Sequence, residues 1–213
     1  MKKLLSAGLC LSMFLLAGCQ GQPQDTTLTI TDQAGREVTF EEPCQTAASG
    51  YYITTTIMIG LQQQDKLTGI EMKPETRPIY AKAAEEILDL PQLGNKKMFN
   101  VEECAKSDPD VVFLPVSLES YVEELEALDI PVVLLEPETA DDFEEAVEII
   151  GKVMGCEDKV DEYKQYEEDL LEKYELDEVE EEPTVYFAGS DLLTCATDDM
   201  YQGEILSYAQ ADN

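Results

Sequence analysis

Tyrosine, arginine and cysteine are the residues of this 213-residue chain whose chemistry can be narrowed. Histidine is absent, which removes the commonest general base and the commonest transition-metal ligand. Carboxylates are plentiful, with 46 Asp and Glu against 14 Lys and Arg, so any two of them pairing as an acid and a base is unspecific. The chain contains no GxGxxG, GxxxxGK[ST] or GxSxG pattern. Catalysis therefore has little support. The adjacent Tyr51 and Tyr52 offer flat apolar contact with a spare hydroxyl. Lys73 and Arg77 form a local cation pair, and Arg77 is one of only two arginines, the other being Arg36. A guanidinium holds carboxylate or catecholate oxygens in a fork. Against that, Tyr51 and Tyr52 can equally divide between core and surface, and Lys73 and Arg77 can be ordinary loop charges.

The first segment, MKKLLSAGLCLSMFLLAGC, has two lysines, an apolar run and small residues at its end, which is a signal peptide by charge and length. The run is too short for a membrane-spanning helix, which takes about 18 or more apolar residues. It closes on Leu16-Ala17-Gly18-Cys19, which resembles the lipobox of bacterial lipoproteins. Cys19 is then the expected site of lipidation, and its acyl chains would hold the protein to the extracytoplasmic side of a cell membrane, either a cell surface or a periplasm. Residues 20–25 form a polar tether. Loss of Lys2 and Lys3 takes the formal charge from −32 to −34. Such a chain will not bind nucleic acid by charge. Cys44, Cys104, Cys156 and Cys195 show no CxxC spacing; both disulfides and free thiols are compatible with the sequence.

The elements that must position these residues follow from periodicity. TTLTITDQAGREVTF alternates on either side of a turn at Gly35 and predicts a hairpin. Strands are expected at residues 45–49, 66–71, 111–115 and 131–137. Helices are expected at 53–61, after Pro78, at 120–128, at 140–154 and at 157–177. In the last of these, the stripe of Val160, Tyr163, Tyr166, Leu170 and Tyr174 predicts a helix lying across one domain and into the next. A new strand is expected at Thr184, followed by a helix in MYQGEILSYAQ. Strands alternating with helices imply βαβ units and a mostly parallel sheet, hence an α/β fold. In NVEECAKSDPDVVFLPVS, Asn100 and Glu103 have capping-box spacing, with Glu103 reaching back to the Asn100 amide. Glu102 is left pointing outward.

In open α/β sheets, ligands sit outside the carboxyl ends of the strands. That rule brings forward Ser49, Gly50, Tyr51 and Tyr52 after the first strand of the sheet, then Met72, Lys73, Arg77 and Tyr80, and then Ser117. Of these, Tyr51, Tyr52, Lys73, Arg77, Tyr80 and Ser117 are the candidate ligand-binding residues. No arginine cluster is available for a highly anionic ligand, so a neutral, cationic or weakly anionic one is expected.

The lipobox, the hairpin TLTITDQAGREVTF, the segment GLQQQDKLTGIE, the run FNVEECAKSDPDVVFLP and the helix-rich link resemble, in order and spacing, the substrate-binding lipoproteins of ABC importers for ferric siderophores, cobalamin and haem. The resemblance implies two α/β lobes joined by one rigid long helix, with the ligand between them. On that pattern residues 26–156 are the N-terminal lobe, 157–182 the linking helix and 183–213 the start of a C-terminal lobe that is begun and not finished. It implies capture of an iron–siderophore or corrinoid, delivery to an ABC transporter permease, and no cofactor beyond a ligand that is itself a metal chelate. It places Glu102 where the family carries an acid that docks onto permease arginines. Haem is the alternative ligand, with Tyr or Met as the axial group in the absence of His. A membrane-anchored structural lipoprotein with no transported ligand is the alternative of a different class.

Overall fold

The computed structural model describes residues 27–174, 183–189, 194–198 and 200–212. The expected signal peptide and tether, Cys19 and the last part of the expected linking helix, residues 175–182, lie outside the described residues. Alternation in the first motif produces a two-stranded antiparallel hairpin, β1 (Leu28–Thr31) with β2 (Glu37–Phe40), pairing Leu28 with Phe40 and Thr31 with Glu37. Its turn is held by Asp32, whose buried carboxylate accepts from the amides of Ala34, Arg36 and Leu134. Gly35 sits at φ +78°, a conformation that costs a glycine little.

A four-stranded parallel sheet follows, in the order β4 (Leu67–Gly69), β3 (Ala47–Ser49), β7 (Val111–Pro115), β8 (Val132–Leu135). Every residue of β7 and β8 is buried, as a strand covered on both faces requires. Period two divides them: Val111, Phe113, Val133 and Leu135 join one core, and Val112, Leu114, Val132 and Leu134 join the other. The first core is covered by α1 (Tyr52–Gly60), α2 (Tyr80–Ala83), α5 (Ala140–Met154) and the hairpin. The second is covered by a small antiparallel pair, β5 (Gly94–Asn95) with β6 (Met98–Phe99), and by α3 (Val101–Lys106) and α4 (Val122–Glu126). Helix α6 (Glu157–Lys173) runs back along α5.

Three expectations are corrected. The helix expected after Pro78 breaks at Ala84 (φ −158°, ψ 60°) into the short α2 and a 3-10 segment, Glu85–Asp89. Tyr80 and Ile87, on either side of the break, are both buried in the first core. On α6, Val160 is buried and Tyr163 half-buried, whereas Tyr166 and Tyr174 are 62% and 64% exposed. The strand expected at Thr184 is reduced, among the described residues, to isolated bridges between Thr184 and Asp212 and between Ala188 and Cys195, because a strand requires a continuous partner. Finally, Asn100 does cap α3, accepting from the Glu103 amide at 3.1 Å, but its own amide is taken by the Leu93 carbonyl, so the capping box does not close. The closed box stands instead at α5, between Thr139 and Asp142. The helix α7 (Tyr201–Tyr208) forms where MYQGEILSYAQ predicts it.

Candidate functional site

The parallel strands all deliver their carboxyl ends to one edge of the sheet, and three of the resulting loops carry the candidate residues. Ser49 ends β3, so Gly50 and Tyr51 make the turn into α1 and Tyr52 opens that helix. The Tyr51 ring is buried and the Tyr52 ring is 39% exposed, so both halves of the expected core-and-surface division are realised in adjacent residues. The rings meet edge to face with centroids 5.3 Å apart, an arrangement that contributes about 0.5–1.5 kcal/mol beyond burial. Burial pushes the Tyr51 phenol up to about 12, and the negative fields of Tyr52, Glu138 and Glu136 add to it. Glu136 and Glu138 follow β8, so that end of the edge is acidic.

After β4 the chain turns through Ile70 and Glu71. Glu71 is nearly sealed from water and was not singled out by the sequence. Its Oε1 accepts from the Tyr80 hydroxyl at 2.8 Å and lies 3.3 Å from Arg77 Nε; its Oε2 accepts from Thr55 Oγ1 at 2.8 Å. Thr55 Oγ1 is in turn 2.8 Å from Ser49 Oγ. Three side chains, Thr55 from α1, Arg77 from the loop after β4 and Tyr80 from α2, therefore converge on one carboxylate, with Ser49 behind Thr55. Arg77 extends from it over Tyr52, its guanidinium carbon 3.9 Å from the ring centroid. A cation so placed on a half-exposed ring gains about 0.5–1 kcal/mol.

The structure thus brings Tyr51, Tyr52 and Arg77 into contact, with Tyr52 and Arg77 partly exposed and Tyr51 buried against Tyr52, and separates the other three candidates from them. Tyr80 is wholly buried, with its phenol pushed up by burial and by Glu71, so it supports the surface from beneath instead of facing a ligand. Lys73 is exposed and takes up a left-handed conformation, φ +63°, with its amide donating to Gln92 Oε1; among the described residues it forms no ion pair, and it is not linked to Arg77. Ser117 is exposed just beyond β7, and its hydroxyl donates to the Lys96 carbonyl. The signal that could have found Glu71 is its position: it is the acid directly at the end of a strand, followed by a lone arginine and a tyrosine.

Glu102 stands on the first turn of α3 with its side chain 82% exposed, 2.9 Å from Lys106 Nζ, which holds its carboxyl below the usual range. It rims a cavity of about 450 Å³ lined also by Met72, Leu93, Met98, Phe99 and Tyr121. Cys44, Cys104, Cys156 and Cys195 are all free thiols, and burial pushes Cys44 and Cys104 up to about 12, which leaves them protonated and unreactive. Among the described residues no group of three or more Cys, Asp or Glu is placed to hold a metal ion. No described helix is long and apolar enough to cross a membrane.

Comparison with known proteins gives these features a setting. A family model described as "Periplasmic binding protein" matches residues 48–213. No curated protein matches the chain. Among solved structures, the chain is similar to a periplasmic solute binding protein from Veillonella parvula at 19% identity and TM-score 0.70, covering 88% of this chain and 60% of that one. It is similar to the molybdate periplasmic binding protein MolA of Haemophilus influenzae at 22% identity and TM-score 0.71, covering 87% and 65%. It is also similar to the periplasmic heme binding protein HutB of Vibrio cholerae at 15% identity and TM-score 0.64, covering 79% and 65%. At these identities the likeness is one of fold, and the chain spans 60–65% of the length of these three structures.

Proposed function

From a chain that belongs to the periplasmic binding protein family, whose members are transport-binding proteins and not enzymes, we propose a protein that captures a small solute outside the cytoplasm and presents it to the permease of an ABC importer. The solute is an iron–siderophore complex or a corrinoid. The single observation that supports this reading best is the surface built at the strand ends from Tyr52 and Arg77, a partly exposed ring with a guanidinium lying on it, backed edge to face by the buried Tyr51. It offers a macrocycle or chelate flat contact together with a fixed donor, at the place where open α/β sheets bind ligands. The acids Glu136 and Glu138 beside it, and the compensation of Arg77 by Glu71, favour a neutral, cationic or weakly anionic complex over a polyanion. Lipid on Cys19 anchors the protein to the membrane in this reading, and Glu102, exposed on its own face, is the residue that meets the permease.

The test is a fluorescence titration of the ten tyrosines with a panel of a cationic ferric trihydroxamate, cobalamin, haem and a ferric tris-catecholate. Saturable quenching by the trihydroxamate or cobalamin that is lost in Tyr52→Ala is the expected result. Tightest binding of the tris-catecholate would overturn the charge argument. Tightest binding of haem selects the heme-carrier alternative, and no quenching by any member selects a structural lipoprotein.

A further inference from the structure

The two arginines of this chain are used in opposite ways. Arg36 is consumed by structure: Nη1 bonds the Asp32 carboxylate and the Val132 carbonyl, and Nη2 bonds Glu126. Arg77 is held only by its inner edge and one face. Its Nε is paired with Glu71 and its plane rests on Tyr52, while Nη1 and Nη2 make no hydrogen bond among the described residues. Glu71 can hold that edge because its own position is fixed from behind, by the Tyr80 hydroxyl on the same oxygen and by Thr55 on the other. The carboxylate is buried, whereas Arg77 keeps 36% of its side chain exposed. The outcome is a planar fork with its orientation set and its outer pair of donors presented to solvent.

We propose that Glu71 is a positioning residue that presets Arg77 as a receptor for a two-oxygen acceptor, so that the solute carries a carboxylate or an equivalent pair of oxygens at the point facing Arg77. This rests on the ligand surface proposed above and names the chemistry at one corner of it. Two parallel N–H···O contacts require a fixed guanidinium plane, which is what the Glu71 and Tyr52 contacts supply. The Glu71–Arg77 pair is neutral as a unit, so the corner selects by geometry of oxygens more than by net charge. A lysine at the same position could supply charge but neither the fork nor the Nε contact.

With only two arginines, the guanidinium resonances of the intact chain are separable by nitrogen–proton correlation spectroscopy, and Arg77→Lys assigns them. Sodium acetate is titrated against sodium chloride at equal ionic strength. The expected result is a saturable shift of the Arg77 Nη resonances by acetate alone, with a slowly exchanging Nε proton in the free protein. In Glu71→Gln the Nε proton exchanges at least ~10-fold faster and the acetate affinity falls by a similar factor, while Arg36 is unchanged. Should Glu71→Gln fail to fold, Tyr80→Phe takes its place, with a smaller loss expected in the same direction. Equal responses to acetate and chloride, or an acetate response unchanged in the variant, would overturn the proposal. Acetate reads Arg77 alone, so this result is separate from the chelate panel, on which the transport reading stands or falls.

Discussion

Glu71 Oε1 sits between the Tyr80 hydroxyl at 2.8 Å and Arg77 Nε at 3.3 Å, joining a wholly buried phenol to a half-exposed guanidinium. Removing the carboxylate breaks its bonds from the Tyr80 hydroxyl and Thr55 Oγ1 and frees the arginine, leaving the Tyr80 hydroxyl only the Tyr52 carbonyl at 3.2 Å. A hydrogen bond to a charged group contributes about 1.5–3 kcal/mol. Glu71→Ala should therefore lower the unfolding free energy by about 2 kcal/mol or more, and Tyr80→Phe by about 1 kcal/mol, in urea denaturation. Because the two residues share one bond, the double variant should lose less than the sum of the single losses.

Asn100 starts α3 without help from a closed capping box, since its amide is already bonded to Leu93. Asn100→Ala should cost about 1 kcal/mol of stability. Glu102→Gln and Glu103→Gln should both leave the melting temperature within a degree or two, because both side chains are exposed and their bonds to Lys106 are surface pairs. Uptake in a reconstituted importer should fall in Glu102→Gln and not in Glu103→Gln; equal uptake in the two would remove the docking role from Glu102.

Alkaline titration should distinguish the buried phenols. Folding raises the Tyr51 pKa to about 12 by burial first. The fold therefore favours the neutral phenol, and the stability this contributes is fully present below the unfolded value of about 10. It is lost as pH rises through about 12. The absorbance of tyrosinate should rise in an early phase from exposed tyrosines and a late one that coincides with loss of circular dichroism. Tyr51→Phe should reduce the late phase and delay alkaline unfolding.

Glu167 on α6 is raised by partial burial and by the like charges of Glu144 and Glu204. A carboxyl whose folded value is raised stabilises below its unfolded value, about 4.3, and that contribution is lost as pH rises through the folded value. Glu167→Gln should accordingly stabilise the chain at neutral pH and remove part of its preference for mild acid. The side chain is largely exposed, so screening holds the gain to a few tenths of a kcal/mol, readable as a small rise in melting temperature.

The parallel sheet was legible because VVFLP and VVLL are continuous apolar runs bounded by turn residues, and α5 because its apolar positions recur at helical spacing. The break at Ala84 was not, since YAKAAEEIL reads as helix and Tyr80 and Ile87, seven residues apart, would share one face of an unbroken one. Tyr51 and Tyr52 were found by the strand-end rule, yet which of them faces outward depends on the edge of the sheet and not on local pattern. Glu71 was missed for the same reason. Its partners lie at Thr55, Arg77 and Tyr80, separations that no short-range periodicity connects.

The hairpin has a consequence beyond its own two strands. Strands β4 and β8 bound the sheet, and a bare bounding strand is a template on which other chains polymerise. At β8, Asp32 takes the Leu134 amide, the Gln33 amide takes the Leu134 carbonyl and Arg36 reaches the Val132 carbonyl. At the opposite margin, Ile70, just past β4, bridges to Gln92, and Leu93 donates to its carbonyl. The β8 margin is thus stoppered by a turn of the same chain, so on that side the sheet is terminated from within and offers little purchase for strand-by-strand growth into fibrils.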